Sequence, residues 1–252
     1  MIRKISICLI FFALCSCANK TDVVYFNNLK LDSQAMRYEP RLQPDDILLI
    51  FVSSSTPEAA SDFNLIAFGS VEKNSDVALS QVRFQTYLIN NEGFIQFPVL
   101  GKIKLGGLTR SEALAKMESE LKKYLKDPIV NLRINNYKVS VLGEVVRPGE
   151  YAVASERVTL LEALSMAGDL TIYGQRHNVL IVREIDGVKT YNYVDIASSE
   201  FFNSPFYYLS QNDMVYVSPN KTRINASMVG PNTTIILSSI SLLLTVVALI
   251  IR

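Results

Sequence analysis

The sequence is poor in the side chains that most often carry chemistry. It has no tryptophan and one histidine, and its three cysteines, Cys8, Cys15 and Cys17, all lie within the first 17 residues. The histidine, His177, has no second histidine and no later thiol to share a zinc ion with, so the inventory excludes a zinc site and a Cys–His nucleophile. We therefore expect no catalytic, cofactor-binding or metal-binding residues, and a protein that is not an enzyme.

An excess of charge of one sign is also missing. The chain has 25 lysines and arginines against 24 aspartates and glutamates, with a formal net charge of +1 and no basic run. This balance argues against a nucleic-acid partner. Acidic residues are numerous enough for a glycosidase pair, but Asp45, Asp46, Glu156 and Glu162 are explained by turns and helix caps. A glycan-processing enzyme is therefore the third-ranked hypothesis.

The N-terminus predicts export and lipidation. Two basic residues precede an apolar run at residues 5–14, and the sequence LCSC follows. A basic start, a short apolar run and small residues describe a secretory signal, here residues 1–16. The LCSC sequence resembles the bacterial lipobox, which implies acylation of Cys17. Ala18 is not the aspartate that retains such lipoproteins at the inner membrane, so the resemblance implies an outer-membrane destination. The alternative is an ordinary signal peptide that happens to contain cysteines.

The C-terminus contains a long uncharged stretch. No charged side chain occurs at residues 224–251, and the apolar run 235–251 covers about 25 Å as a helix, the short end of a bilayer span. We therefore predict a single transmembrane helix at 233–252.

Four hydroxyl residues of this segment fall on one stripe of the predicted helix. Thr234, Ser238, Ser241 and Thr245 are spaced at helical intervals. One interpretation is a ring of identical helices whose stripe faces a wet lumen. The other is a simple anchor whose hydroxyls bond back to carbonyls of their own helix.

The middle of the chain predicts an α+β fold of two small β-grasp-like domains in tandem. The capping-box pattern T-x-x-E occurs at Thr109–Glu112 and again at Thr159–Glu162, each time opening a helix among short apolar strands. The predicted division is a tether at 17–40, a first domain at 41–137, a second at 138–220, a linker at 221–232 and the terminal helix at 233–252.

Several of these motifs resemble one family. The segments 42–52 (LQPDDILLIFV), 93–108 and 126–135 are similar to the polysaccharide export domain of Wza-type outer-membrane capsule exporters. The segments 139–151 (VSVLGEVVRPGEY), 159–173 and 211–217 are similar to the soluble-ligand-binding β-grasp (SLBB) module that follows it. Two features depart from the family: Asp45 stands where glycine is usual, and one β-grasp module is evident where other members carry more.

The resemblance implies a subunit of an oligomeric outer-membrane channel for capsular polysaccharide or exopolysaccharide. Such proteins form rings, commonly octamers, that dock onto an inner-membrane polysaccharide co-polymerase or tyrosine kinase. Lipid at Cys17, periplasmic domains at 41–220 and a terminal helix crossing to the cell surface are the expected arrangement. The alternative is a periplasmic glycan-binding or scaffold lipoprotein with a simple C-terminal membrane anchor.

Overall fold

The computed structural model describes residues 24–26, 38–67, 83–185, 187–228 and 231–250. The predicted signal peptide at 1–16 and most of the tether at 17–40 lie outside these residues. The strands are β1 (Ile47–Ser53), β2 (Ile66–Ala67), β3 (Arg83–Phe84), β4 (Thr86–Leu88), β5 (Phe94–Phe97), β6 (Gly101–Lys104), β7 (Ile129–Ile134), β8 (Lys138–Gly143), β9 (Gly149–Ala152), β10 (Val158–Thr159), β11 (Gly174–Ile185), β12 (Val188–Val194), β13 (Tyr208–Leu209) and β14 (Met214–Pro219). The α-helices are α1 (Pro57–Ala60), α2 (Arg110–Leu121), α3 (Leu160–Met166), α4 (Lys221–Met228) and α5 (Pro231–Ile250).

The first unit, residues 42–134, is built on a three-stranded antiparallel sheet in the order β4-β1-β7. Side chains alternate along β1, so Leu48, Ile50 and Val52 point into the core while their neighbours are more exposed. Helix α2 adds Met117 and Leu121 to the same core, and the β5–β6 hairpin also contributes.

The second unit, residues 137–219, contains a five-stranded sheet in the order β12-β11-β14-β8-β9. Neighbouring strands are antiparallel except β14 and β8, which run parallel. The chain forms the β8–β9 hairpin, passes through α3, forms the β11–β12 hairpin and returns as β14 in the middle of the sheet. This strand order and the single parallel pair are the topology of a β-grasp fold.

Both predicted capping boxes are confirmed. The Thr109 hydroxyl accepts from the backbone N–H of Glu112 at 3.3 Å, and the Glu112 carboxylate accepts from the Thr109 N–H at 2.7 Å. Thr159 and Glu162 repeat this exchange at 3.1 Å and 2.7 Å. Helix α3 then ends before Gly168, whose φ of +78° is the left-handed conformation expected of a residue that follows a helix.

Gly143, the last residue of β8, is paired with Val217 of β14. Its φ is +90°, and a Cβ atom there would lie 2.1 Å from the carbonyl oxygen of Val217. The same carbonyl accepts a hydrogen bond from the backbone N–H of Glu144 at 2.9 Å. No side chain fits at this position, so glycine is required for the parallel pairing that closes the sheet.

The α+β class is confirmed, but the two units are less alike than predicted. All described strand pairs of the first unit are antiparallel, because β7 returns beside β1 in the opposite direction. Alternation of apolar residues is the same whether a strand pairs parallel or antiparallel, so the sequence pattern did not reveal this difference.

The C-terminal part of the chain consists of α4 and α5. Among the residues described, no helix is long and apolar enough to cross a membrane. The predicted transmembrane helix at 233–252 is therefore unsupported. Its apolar run, 235–251, has seventeen residues, whereas a span generally needs about 20.

Candidate functional site

A cleft of about 640 Å³ lies between the two units. Its lining comes from residues 38–40 ahead of β1, the start of α2, the end of β7 and the segment 154–157 that leads into β10. Ile134 at the end of β7 packs against both hydrophobic cores, so the cleft opens where the units are joined.

Arg110 links the two units in this cleft. The capping box begins α2 at Arg110, whose Nε donates to the carbonyl of Leu132 at 3.0 Å. The same Nε lies 3.3 Å from Glu156 Oε1 of the second unit. An ion pair as exposed as this one contributes about 0–1 kcal/mol to stability. Its main effect is therefore on how the two units are positioned on either side of the cleft.

Two further arginines of the cleft lack a carboxylate partner among the described residues. Arg133 extends from β7 of the first unit and Arg157 precedes β10 of the second, and both are exposed. Of the lining carboxylates, Glu156 is paired with Arg110, and Glu39 accepts a hydrogen bond from Ser111 Oγ at 3.0 Å. The three arginines and two glutamates of the lining give it a net charge of +1.

An aromatic stack orients Arg157. The guanidinium carbon of Arg157 lies 5.3 Å from the ring centroid of Tyr208, and the Tyr38 ring stacks on Tyr208 at 4.7 Å and 11°. The Tyr208 carbonyl accepts from Arg183 Nη2 at 3.0 Å, and Arg183 forms a two-point pair with the buried Asp213, the shorter contact being 2.7 Å. Breaking such a buried pair typically costs about 3–5 kcal/mol, so this wall of the cleft is firmly held.

The outer face of the second sheet carries exposed aromatic side chains. Tyr193, Leu180, Tyr216 and Leu142 occupy directly opposed positions on four adjacent strands, and such positions share a face. Tyr193 is 63% exposed and Tyr191, two residues earlier on the same face, is 65% exposed. The described residues therefore leave an apolar, aromatic sheet face uncovered.

Residues 24–26 are docked on the second unit. The Tyr25 hydroxyl donates to the Asp169 carboxylate, and the Arg176 guanidinium carbon lies 5.0 Å from the Tyr25 ring centroid. The Phe26 ring lies 5.0 Å from that of Phe202. Burial raises the pKa of Tyr25, and its bond to Asp169 adds to the effect, so this hydroxyl stays protonated as a donor.

The predicted hydroxyl stripe is described in part. Thr234 belongs to α5, but its side chain lies outside the described residues. Ser238 Oγ donates to the Ile235 carbonyl at 3.2 Å, and Thr245 Oγ1 donates to the Ser241 carbonyl at 2.7 Å. Hydroxyls of a helix form such bonds under either interpretation of the stripe, so these bonds do not choose between the two.

The described residues show no metal-binding group of three or more His, Cys, Asp or Glu side chains. His177 Nδ1 lies 3.0 Å from Asp195 Oδ2, and both side chains are exposed. The predicted lipidation site, Cys17, lies outside the described residues.

The sequence analysis predicted neither the cleft nor the hydroxyl of Ser239 in α5. Tyr38, Arg133 and Arg157 meet through contacts between distant segments, and no local spacing signals such a meeting. Ser239 Oγ donates to the Ile235 carbonyl at 2.7 Å, and its position beside Ser238 shows that hydroxyls of α5 also occur off the predicted stripe.

Comparison with known proteins accounts for the first unit. Residues 34–135 match the family described as polysaccharide biosynthesis/export protein. The first unit is therefore similar to the polysaccharide export family. The matched residues include Arg110 and Arg133, on one side of the cleft, whereas Arg157 lies beyond them.

Two relatives carry the name EPS I polysaccharide export outer membrane protein EpsA. The protein from Ralstonia nicotianae is 30% identical over 155 residues, which cover 57% of this chain and 38% of that protein. The protein from Ralstonia solanacearum is 30% identical over 149 residues, which cover 58% of this chain and 39% of that protein. The chain thus spans less than two-fifths of the length of these curated relatives.

Proposed function

We propose that the chain is a subunit of an oligomeric outer-membrane channel that exports capsular polysaccharide or exopolysaccharide from the periplasm to the cell surface. The observation that carries this proposal is the family match of residues 34–135. The names of the two relatives, both export proteins of the outer membrane, support it. The proposed partners are the polysaccharide, further copies of the chain and an inner-membrane co-polymerase or tyrosine kinase.

Copies of the chain are proposed to meet through the aromatic sheet face of the second unit. An exposed apolar face of this kind is typical of protein contacts, and tyrosine is enriched in them. Contacts between different faces of identical copies close into a ring when their rotation closes. We expect Tyr193→Lys to dissociate the detergent-purified assembly in light scattering and negative-stain images. The control Tyr124→Lys, at a 56% exposed position of the first unit, should leave assembly intact.

The second unit is proposed to lie next to the outer membrane. Tyr25 follows Cys17 by eight residue steps, and a fully extended chain of that length reaches about 28 Å. Acyl chains on Cys17 would therefore hold the surface that binds Tyr25 close to the bilayer. Helix α4 is attached to the same unit, since Arg223 Nε lies 3.2 Å from Glu144 Oε1. Cys17→Ser should abolish acyl labelling and leave unprocessed precursor, whereas Cys15→Ser should not.

The α5 helices of neighbouring copies are proposed to stand side by side with the hydroxyl stripe toward the shared passage. Single cysteines at Ser238, Ser241 and Thr245 should then react with a water-soluble thiol reagent in assembled protein. Cysteines at Leu244 and Val247, which lie on other faces of the helix, should not react with the reagent. Equal reactivity at all five positions would remove the stripe from the proposal.

The function itself is tested in a strain that lacks the protein. Surface polysaccharide should disappear and polymer should accumulate in the periplasm, and the intact gene should restore export. Normal surface polysaccharide in that strain would contradict the proposal. The second candidate is a glycan-binding or scaffold lipoprotein in which α5 is a simple anchor whose hydroxyls bond to carbonyls of their own helix, as those of Ser238 and Thr245 do. Normal export by a chain truncated after residue 228 would support that candidate.

A further inference from the structure

The cleft between the units has the size and the chemistry of a ligand site. Its volume of about 640 Å³ lies within the usual range of about 300–1,000 Å³ for small-molecule sites. Hydroxyls of Ser111 and Ser155 line it together with the carboxylates of Glu39 and Glu156. Hydroxyls and carboxylates are suitable partners for the hydroxyl groups of a sugar.

The arginines of the cleft add a preference for negative charge. Arg110 is engaged by Glu156 and the Leu132 carbonyl, so its charge is largely satisfied. Arg133 and Arg157 have no ion-pair partner among the described residues, and one comes from each unit. A guanidinium group binds a carboxylate through two parallel hydrogen bonds, which is the interaction that both side chains leave unused.

Arg157 is also held before any ligand arrives. Its guanidinium group lies against Tyr208, which is stacked on Tyr38. The Tyr38 hydroxyl lies 3.1 Å from Ser210 Oγ, and this contact fixes the other end of the stack. A side chain oriented in this way loses less conformational freedom when it binds.

We propose that this cleft binds a carboxylate-bearing sugar residue, with Arg133 and Arg157 holding the carboxylate from the two units. The inference rests on the proposed export function and names the class of polysaccharide, one that contains uronic acids. Bridging by the sugar acid would stiffen the joint between the units while polymer is present.

The test uses the full chain in mild detergent and a fluorescently labelled hexasaccharide of alternating glucuronic acid and N-acetylglucosamine. The matched control ligand is the same hexasaccharide with its carboxylates reduced to alcohols. In anisotropy titrations at low salt, the acidic ligand should bind at least about tenfold more tightly than the reduced one. The double variant Arg133→Gln/Arg157→Gln should lose this preference. The control variant Lys102→Gln/Arg147→Gln, which removes two positive charges outside the cleft, should keep it.

Equal affinity for the two ligands, no binding of the acidic one, or an unchanged preference in the cleft variant would each overturn the inference. Thermal unfolding of all variants shows whether a loss of binding reflects a loss of structure. The strain that lacks the protein distinguishes the two proposals. Loss of surface polysaccharide there, with no acid preference in the titrations, removes this inference alone, whereas normal surface polysaccharide removes the export function.

Discussion

Asp46 makes the stability of the first unit depend on pH. The side chain is fully buried; Oδ2 accepts from the backbone N–H of Gln43 at 2.8 Å, and Oδ1 has no hydrogen-bond partner among the described residues. Burial raises the pKa of Asp46 from 3.8 to about 6, and the nearby Asp45 charge adds to the rise, while the Gln43 N–H opposes it. The folded protein therefore binds this proton more tightly than the unfolded chain.

The sign of the effect follows from this difference. Tighter binding of the Asp46 proton stabilises the folded state. This contribution is fully present below pH 3.8 and is lost as the pH rises through about 6. The pKa difference corresponds to about 3 kcal/mol. Asp46→Asn replaces the carboxylate with a neutral amide of similar shape, so its stability should not show this loss. The free energy of unfolding of wild type relative to Asp46→Asn should fall by most of that amount between pH 4 and pH 7.

The assay is guanidinium unfolding of the detergent-solubilised full chain, followed by far-UV circular dichroism at several pH values. Asp62→Asn, which removes an exposed carboxylate from the same unit, is the control for a general loss of charge. If wild type and Asp46→Asn keep a constant difference in unfolding free energy from pH 4 to pH 8, the reasoning about this buried carboxylate is wrong.

Three further substitutions test the backbone and the caps. Gly143→Ala should cost several kcal/mol, since its Cβ would meet the Val217 carbonyl, whereas Gly149→Ala, with its nearest neighbour at 3.9 Å, should fold normally in thermal unfolding. Asp45→Gly should stabilise the chain by up to about 1 kcal/mol in guanidinium unfolding, because φ is +68°; a loss of stability would refute this. Thr159→Ala should cost about 1 kcal/mol and speed amide exchange in α3, and unchanged exchange would count against its capping role.

Local features of the fold were predictable because they depend on neighbouring residues. The two capping boxes, strand β1 and the glycine that follows α3 each follow from spacing and residue type within one segment. The unusual Asp45 is explained by the same logic, since its left-handed backbone is a conformation that glycine adopts at little cost. The direction in which β7 pairs with β1 was not predictable, because about 80 residues separate the strands. The alternation of apolar residues is also the same for parallel and antiparallel pairing.

The cleft illustrates the limit more clearly. Arg133 and Arg157 belong to different units, and what they share is a cavity rather than a sequence pattern. Arg110 and Arg133 fall within the matched range 34–135, while Arg157 lies in the β-grasp unit that follows it. The preference of such a site for acidic ligands can change through substitutions in one unit while the other unit stays the same. Comparison of acid binding between relatives that differ at position 157 would therefore separate the contribution of the second unit from that of the export domain.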